Sequence, residues 1–421
     1  MNEGQAVSLI SVGVTWARFV LVAFEMGALL MSVMATVNML GNLRAFHRLG
    51  AYAIVPLTEP APFVSVLVPA RDEATNIAAC VRSLLAQDYR HFEVIVLDDG
   101  STDDTAAIVY SLMADNRLTL LTGDALPAGW KGKCFACHQL SVAARGSILL
   151  FTDADTRHAP QMIRSVVGGV AAGADVVTTF PEQEVDSLTE ALVVPLMLFI
   201  IWAFLPVGRV WSDPRPDFVA ANGQLLAFAR AAYDAIGGHA AVRDSVLEDQ
   251  ELGLRAKRMG LRLRLADGTG TTRTRMYRSA GEVWRGFSKN AFTLLHESVP
   301  LAVGFTAMLV ALYVVPLVVL VAGALTGSDD WAWRWLPLAL VALMLVQRGI
   351  VSRRARLPVW HAALHPFSVL AFALILGNSV RWQRRGYGVW KGRVYATTPA
   401  PPPVAPSGTV ASPRSASTPN Q

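Results

Sequence analysis

The chain has 421 residues, 53% of them hydrophobic and only 16% charged, with a net charge of +5 and a mean hydropathy of +0.38. That apolar excess excludes a simple soluble domain and calls for membrane segments beside one sizeable folded unit. Three cysteines (Cys80, Cys134 and Cys137) exclude a disulfide framework, and no aromatic-basic or DNA-reading pattern accompanies the basic residues, so no nucleic-acid partner is expected.

In chain order, residues 19–40 form an apolar stretch broken only by Glu25, long enough to span a bilayer and not followed by a cleavage pattern. Residues 1–41 are therefore expected to be a transmembrane anchor, and residues 42–62, rich in turn formers, a linker. Strand-like and helix-like patterns alternate over residues 63–298, which predicts an α/β domain. FVSVLVPA (63–70), HFEVIVLDDGSTDDT (91–105), LTLLTG (118–123) and SILLFTDAD (147–155) are its first four strands with their following loops. Acidic residues cluster at the strand ends, where open α/β sheets bind ligands.

Asp153 and Asp155 lie two apart, and on an extended segment both project to one side, which suits a divalent cation; solvated turn acids are the alternative. Asp98, Asp99 and Glu73 can accept hydrogen bonds from a nucleoside, while Ser101 to Asp103 cap the next helix. In LPAGWKGKCFACHQL (126–140), Lys131 and Lys133 precede a helix, a placement that suits phosphate as well as it suits a solvated turn. The Cys134, Cys137, His138 pattern formally matches haem attachment but reads better as buried helix residues. Residues 191–208 are uncharged; a buried core helix and an interfacial element presenting a lipid both fit, and Pro195 and Pro206 favour the second. Glu248 and Asp249 open an amphipathic helix, where the dipole favours acids and a general base can also stand.

Residues 301–325 and 331–346 are further candidate spans, the latter with an interfacial cluster of Trp331, Trp333 and Trp335. Residues 357–380, with His361, His365 and Pro366, lie between two basic clusters, Arg348 to Arg356 and Arg381 to Arg393. A re-entrant or interfacial path keeps both clusters, the α/β domain and the tail on the cytosolic side of the cell membrane. Residues 299–395 thus form a transmembrane and interfacial unit, and the Pro- and Ser-rich residues 396–421 a disordered tail.

Taken in order, VPARDEA, VLDDGSTDD, GWKGK, FTDAD and LEDQEL resemble the inverting family 2 glycosyltransferases of GT-A fold, the nucleotide-diphospho-sugar transferases with a Rossmann-like domain. With AANGQ (220–224), MYRS (276–279) and the flanking apolar helices, the chain is similar to the membrane-bound diaponeurosporenoate (carotenoid) and hopanoid-associated branch. WKGRVY (390–395) also resembles the closing residues of ceramide glucosyltransferases. The resemblance implies transfer of a hexose from a nucleotide-diphosphate sugar, UDP-glucose above all, to a carotenoid or other isoprenoid lipid. It puts Pro69, Arg71, Glu73, Asp98 and Asp99 at the nucleoside, and Lys133 and Asp153 at the diphosphate. Asp155 and Asp153 would hold Mg²⁺ or Mn²⁺, and Asp249 would be the base. Asn222, Gly223, Glu248, Arg278 and Trp284 would line the acceptor side. The QxxRW motif of processive members does not follow the base; Arg275, Arg278, Trp284 and Arg285 are the nearby substitutes, so chain-forming activity is not expected. A polyprenyl-phosphate sugar transferase, and a non-catalytic membrane assembly protein with a transferase-like domain, remain the competing readings.

Overall fold

The computed structural model describes residues 3–57, 59–385, 387–390 and 393–396. Aliphatic and β-branched runs become strands because their side chains fill both faces of a buried sheet. The strands are β1 (Val64–Ala70), β2 (Phe92–Asp98), β3 (Leu118–Thr122), β4 (Ile148–Phe151), β5 (Thr156–His158), β6 (Val176–Phe180), β7 (Glu182–Gln183), β8 (Leu226–Ala229), β9 (Leu263–Asp267) and β10 (Thr272–Thr274). A seven-stranded sheet runs β3-β2-β1-β4-β8-β6-β9, and every residue of β2 and β4 is buried. All its pairings are parallel except those of β8, which is antiparallel to β4 and β6. β5, β10 and β7 form a small second sheet beside it, and β11 (Tyr387–Trp390) pairs with β12 (Arg393–Ala396) as a hairpin. The α/β fold class expected from the sequence is met; Ser298 caps the helix Val299–Tyr313 that follows.

Among the described residues, four stretches are long and apolar enough to cross a membrane: Thr15–Ala45, Val299–Leu325, Trp335–Arg354 and Val359–Arg384. The second is broken at Val314 into the helices Val299–Tyr313 and Val315–Leu325, where Pro316 lacks an N–H for the ladder. The first helix runs on to Ala45, and the residues expected to form a free linker are instead tied to the fold. Asn42 is buried and donates to the carbonyls of Trp202 and Leu205, while its own oxygen accepts from Val207 N–H. The short 3₁₀ turn Leu49–Ile54 then packs on the helix Met162–Ala171, with the Tyr52 carbonyl against Gly168.

The segment 191–208 also departs from expectation. It lies mostly within the helix Leu188–Phe204, whose Phe199 is 0% and Trp202 4% exposed. Its apolar side chains are not displayed to a surface. They pack against the first helix, Ala280–Asn290, Trp335–Arg354 and His365–Arg384, which makes this helix the seam joining the sheet domain to the membrane-type helices. Burial on all sides removes the need for a polar face, so the missing amphipathicity reflects a core position.

Residues 357–380 form a 3₁₀ turn, Val359–Leu364, and the helix His365–Arg384. Both ends of this excursion touch the sheet domain or the chain leaving it. Arg356 contacts Glu182 at 3.4 Å before it, and Asn378, Ser379 and Gln383 bond to Ser288, Phe292 N–H and Glu297 at its end. Of the expected tail, residues 396–421, Ala396 ends β12 and the rest lies outside the described residues.

Candidate active site

The carboxyl ends of β1 and β2 are laced together by local hydrogen bonds. Asp99 N–H donates to Ala70 O at 2.8 Å, and the Arg71 guanidinium donates to the Asp99 carbonyl. Asp72 adopts a positive φ of 50°, a conformation Asp tolerates; its N–H reaches Ser101 Oγ, and its carboxylate accepts from Thr102 N–H at 2.7 Å. Asp103 accepts from Ala74 N–H and Thr105 N–H, so Ser101 to Asp103 staple the loop; the cap position of the helix Thr105–Tyr110 is Asp104, whose side chain makes no capping bond, so the expected cap is not formed. Asp98 is buried beside them, and its Oδ1 has no hydrogen-bond partner among the described residues. Glu73 accepts from Asn76 at 2.9 Å. Pro69, Arg71, Glu73, Asp98 and Asp99 therefore share one sheet edge.

Asp153 and Asp155 do not extend the strand, as the pattern had predicted. β4 stops at Phe151, and the two acids stand on the tight turn before β5. The turn is held from beneath: Thr156 Oγ1 donates to the Asp153 carbonyl at 2.6 Å, and Thr152, Thr156 and His158 Nε2 bond to one another at 2.8–3.1 Å. Thr152 also reaches the Gln224 carbonyl at 2.8 Å, tying this turn to the AANGQ loop. Burial pushes the His158 imidazole down to about 3, so it stays neutral. The sequence reading missed Thr152, Thr156 and His158, although they flank the acids directly.

Lys133 is the hub. It is the second residue of the helix Gly132–Ala143, and its Nζ lies 2.7 Å from Asp153 and 3.0 Å from Glu248. The two carboxylates hold its ammonium well above the usual range despite its burial. Glu248 and Asp249 open the helix Glu248–Arg258, whose first turn is acidic and last turn basic, as the macrodipole favours. Asp249 accepts from Gly223 N–H and Gln250 N–H, each at 2.8 Å, which fixes both oxygens. Burial and then the neighbouring Glu248 charge push its carboxyl up to about 6, against the opposing effect of Lys133. A Cβ on Gly223 would stand 2.9 Å from Lys133 Nζ, so a side chain there would displace the lysine end.

The chain thus brings Lys133, Asp153, Gly223, Glu248 and Asp249 together. Asn222 spends its oxygen on Gln224 N–H, turning the loop. Arg278 donates to Asn76 at 3.0 Å and leans toward the Glu73 edge, while Trp284 is 39% exposed on the helix Ala280–Asn290. Arg275 is taken by Asp186 and Glu190. Lys289, which the sequence reading did not single out, brings its charge beside Glu248, Lys133 and Asp153, and burial lowers its pKa. No local pattern marks it, because its partners lie on distant segments. Cys134 and Cys137 are buried thiols raised by desolvation, which fits a packing role.

A parallel sheet with one reversed strand and acids at its carboxyl edge has the architecture of a GT-A type domain. Residues 65–208 match the family model for glycosyl transferase family 2. It is 33% identical over 148 residues to glycosyltransferase AglE of Haloferax volcanii, covering 32% of this chain and 47% of that one. It is 36% identical over 109 residues to a beta-monoglucosyldiacylglycerol synthase of Nostoc sp., covering 25% and 23%. To the 4,4'-diaponeurosporenoate glycosyltransferase of Staphylococcus haemolyticus it is 37% identical over 92 residues, covering 22% and 24%. The matches therefore span less than half the length of these relatives.

Proposed function

We propose that this protein is an inverting glycosyltransferase that moves a hexose from a nucleotide-diphosphate sugar, UDP-glucose in the first instance, to a membrane lipid. The observation that carries the reading is the Lys133 bridge between Asp153 and Glu248, with Asp249 oriented beside it through Gly223. Names of two relatives, acting on a diacylglycerol lipid and on a carotenoid acid, support a lipid acceptor. The apolar helices support a membrane-bound protein, with the catalytic domain on the cytosolic side, where nucleotide sugars are made.

Two carboxylates with no third acidic, histidine or cysteine ligand grouped near them among the described residues fit a cation that takes its remaining ligands from donor phosphates. Asp155 would be the principal ligand, with Asp153, which Lys133 also holds, joining directly or through water. When bound, Mg²⁺ or Mn²⁺ offsets charge on the diphosphate. The other work falls to side chains. Pro69, Arg71, Glu73, Asp98 and Asp99 seat the nucleoside, and Lys133 and Lys289 add positive charge where the departing diphosphate becomes more anionic. Asp249 takes the proton of the acceptor hydroxyl as its oxygen attacks the anomeric carbon from the face opposite the diphosphate. The bond to the diphosphate breaks with its electron pair, and the configuration inverts.

The test is transfer from radiolabelled UDP-glucose to lipid extracts by the purified full chain, with GDP- and other nucleotide sugars in parallel. Label in the lipid phase, with the anomeric configuration opposite to the donor's, is the expected result. Failure of every nucleotide sugar to bind or react would favour the non-catalytic reading.

A further inference from the structure

The apolar helices hold a group of polar side chains that the transfer reaction leaves unused. Arg348, on Trp335–Arg354, is 0% exposed. Its Nη1 donates to the Pro195 carbonyl, whereas Nε and Nη2 have no hydrogen-bond partner among the described residues. His361 and His365 are buried within reach of its charge; neither ring nitrogen of His365 is partnered, nor is Nδ1 of His361. The Tyr313 ring lies edge-on to His365 at 4.8 Å with its hydroxyl unpartnered, and Ser352 Oγ, one turn along from Arg348, is unpartnered too. Phe199 closes the group with its ring 4.3 Å from that of His365. Among the described residues no carboxylate lies within ion-pair distance of Arg348.

A guanidinium buried without a counter-charge is costly, and in membrane-type helices such a group marks a site. The geometry also names the chemistry. Nε and Nη2 form the edge of the guanidinium that grips a carboxylate or phosphate with two parallel hydrogen bonds, and that edge is the one left open. Imidazole and phenol donors stand around it. Arg348 is six residues before Arg354, which pairs with Asp267 of the catalytic domain at 2.8 Å, so it lies about 9 Å along the helix from that contact. That is head-group depth for a lipid whose tail lies among the helices.

We propose that Arg348, His365 and Tyr313 bind the oxyanion of a long-chain lipid with a carboxylate or phosphate head. The inference goes beyond the transfer reaction and stands on the helices alone.

The full chain in neutral maltoside micelles is titrated with dibromostearic acid, the matching alkyl phosphate and the matching alcohol, read by quenching of tryptophan fluorescence. One or both anions bind about tenfold or more tightly than the alcohol, as charge-assisted hydrogen bonds in a desolvated site require, and the ratio between acid and phosphate identifies the head group. Arg348→Gln reduces the preference to less than about twofold while UDP affinity is unchanged; Arg348→Lys, which keeps the charge but not the fork, falls between. Equal binding of all three lipids to the unaltered protein, which needs no variant to fold, overturns the proposal, as does a preference that survives Arg348→Gln. Absence of UDP binding in the unaltered protein would instead count against the glycosyltransferase reading and leave the lipid comparison intact.

Discussion

Asp249 sits between Glu248, which raises its pKa, and Lys133, which lowers it. A base must be ionised to act, so turnover should rise with pH through about 6. Removing the neighbouring negative charge makes ionisation easier, and Glu248→Gln should therefore move this acid limb to lower pH. Lys133→Met removes the opposing charge and should move it higher. A limb that stays in place in the residual rates of both variants would dissociate it from Asp249. Asp249→Asn should keep donor affinity but lose at least about a hundredfold in transfer, as a lost general base does; an active Asp249→Asn beside a dead Glu248→Gln would shift the role to Glu248. For Asp155→Ala and for excess chelator, nearly complete loss of turnover with an unchanged melting temperature is expected, and full activity in chelator would remove the metal from the mechanism.

At the scale of elements, the helix Gly132–Ala143, the AANGQ loop and the helix Glu248–Arg258 meet at one point, where Gly223 admits the lysine end. Gly223→Ala presses on the tip of a flexible side chain, not on backbone. Its melting temperature should change little while transfer falls, and a full-rate Gly223→Ala would show that Lys133 need not lie there. The helix Leu188–Phe204 behaves differently. Phe199 and Trp202 are buried among several helices, so Phe199→Ser with Trp202→Ser should cost roughly 3–5 kcal/mol or more, with donor binding and transfer falling together. Retained UDP affinity beside selective loss of lipid transfer would restore the exposed, lipid-presenting role that the sequence had suggested for it.

For the whole molecule, the path of residues 357–384 sets the topology. Arg356 and Gln383 both reach the catalytic side, so the segment should enter and return, leaving three crossings. The native cysteines are buried, which gives a low background for labelling. With a membrane-impermeant maleimide, Tyr110→Cys and Arg385→Cys should react from one side of sealed vesicles and Asp329→Cys from the other. Co-labelling of positions 385 and 329 would mean a full crossing instead.

The chain's order of strands, its acids at strand ends and the lengths of its apolar stretches were legible without a structure, because period, β-branching and turn chemistry are local properties. The proposed roles of Asp98, Asp153, Asp155 and Asp249 rest on the GT-A resemblance for a similar reason: each stands in a short contiguous motif. Tertiary packing alone decided the rest. A buried helix and an interfacial one can share an uncharged sequence, and only neighbours on every side made Leu188–Phe204 a core element. Lys289 stands in no motif that the sequence reading used, and Arg348, read there as part of a cytosolic basic cluster, is buried among the apolar helices; the surroundings of both come from segments far apart in the chain. Their chemistry is set by which charges and orphaned hydrogen-bonding groups the fold brings within a few ångströms, a property of three-dimensional proximity that one-dimensional spacing does not encode.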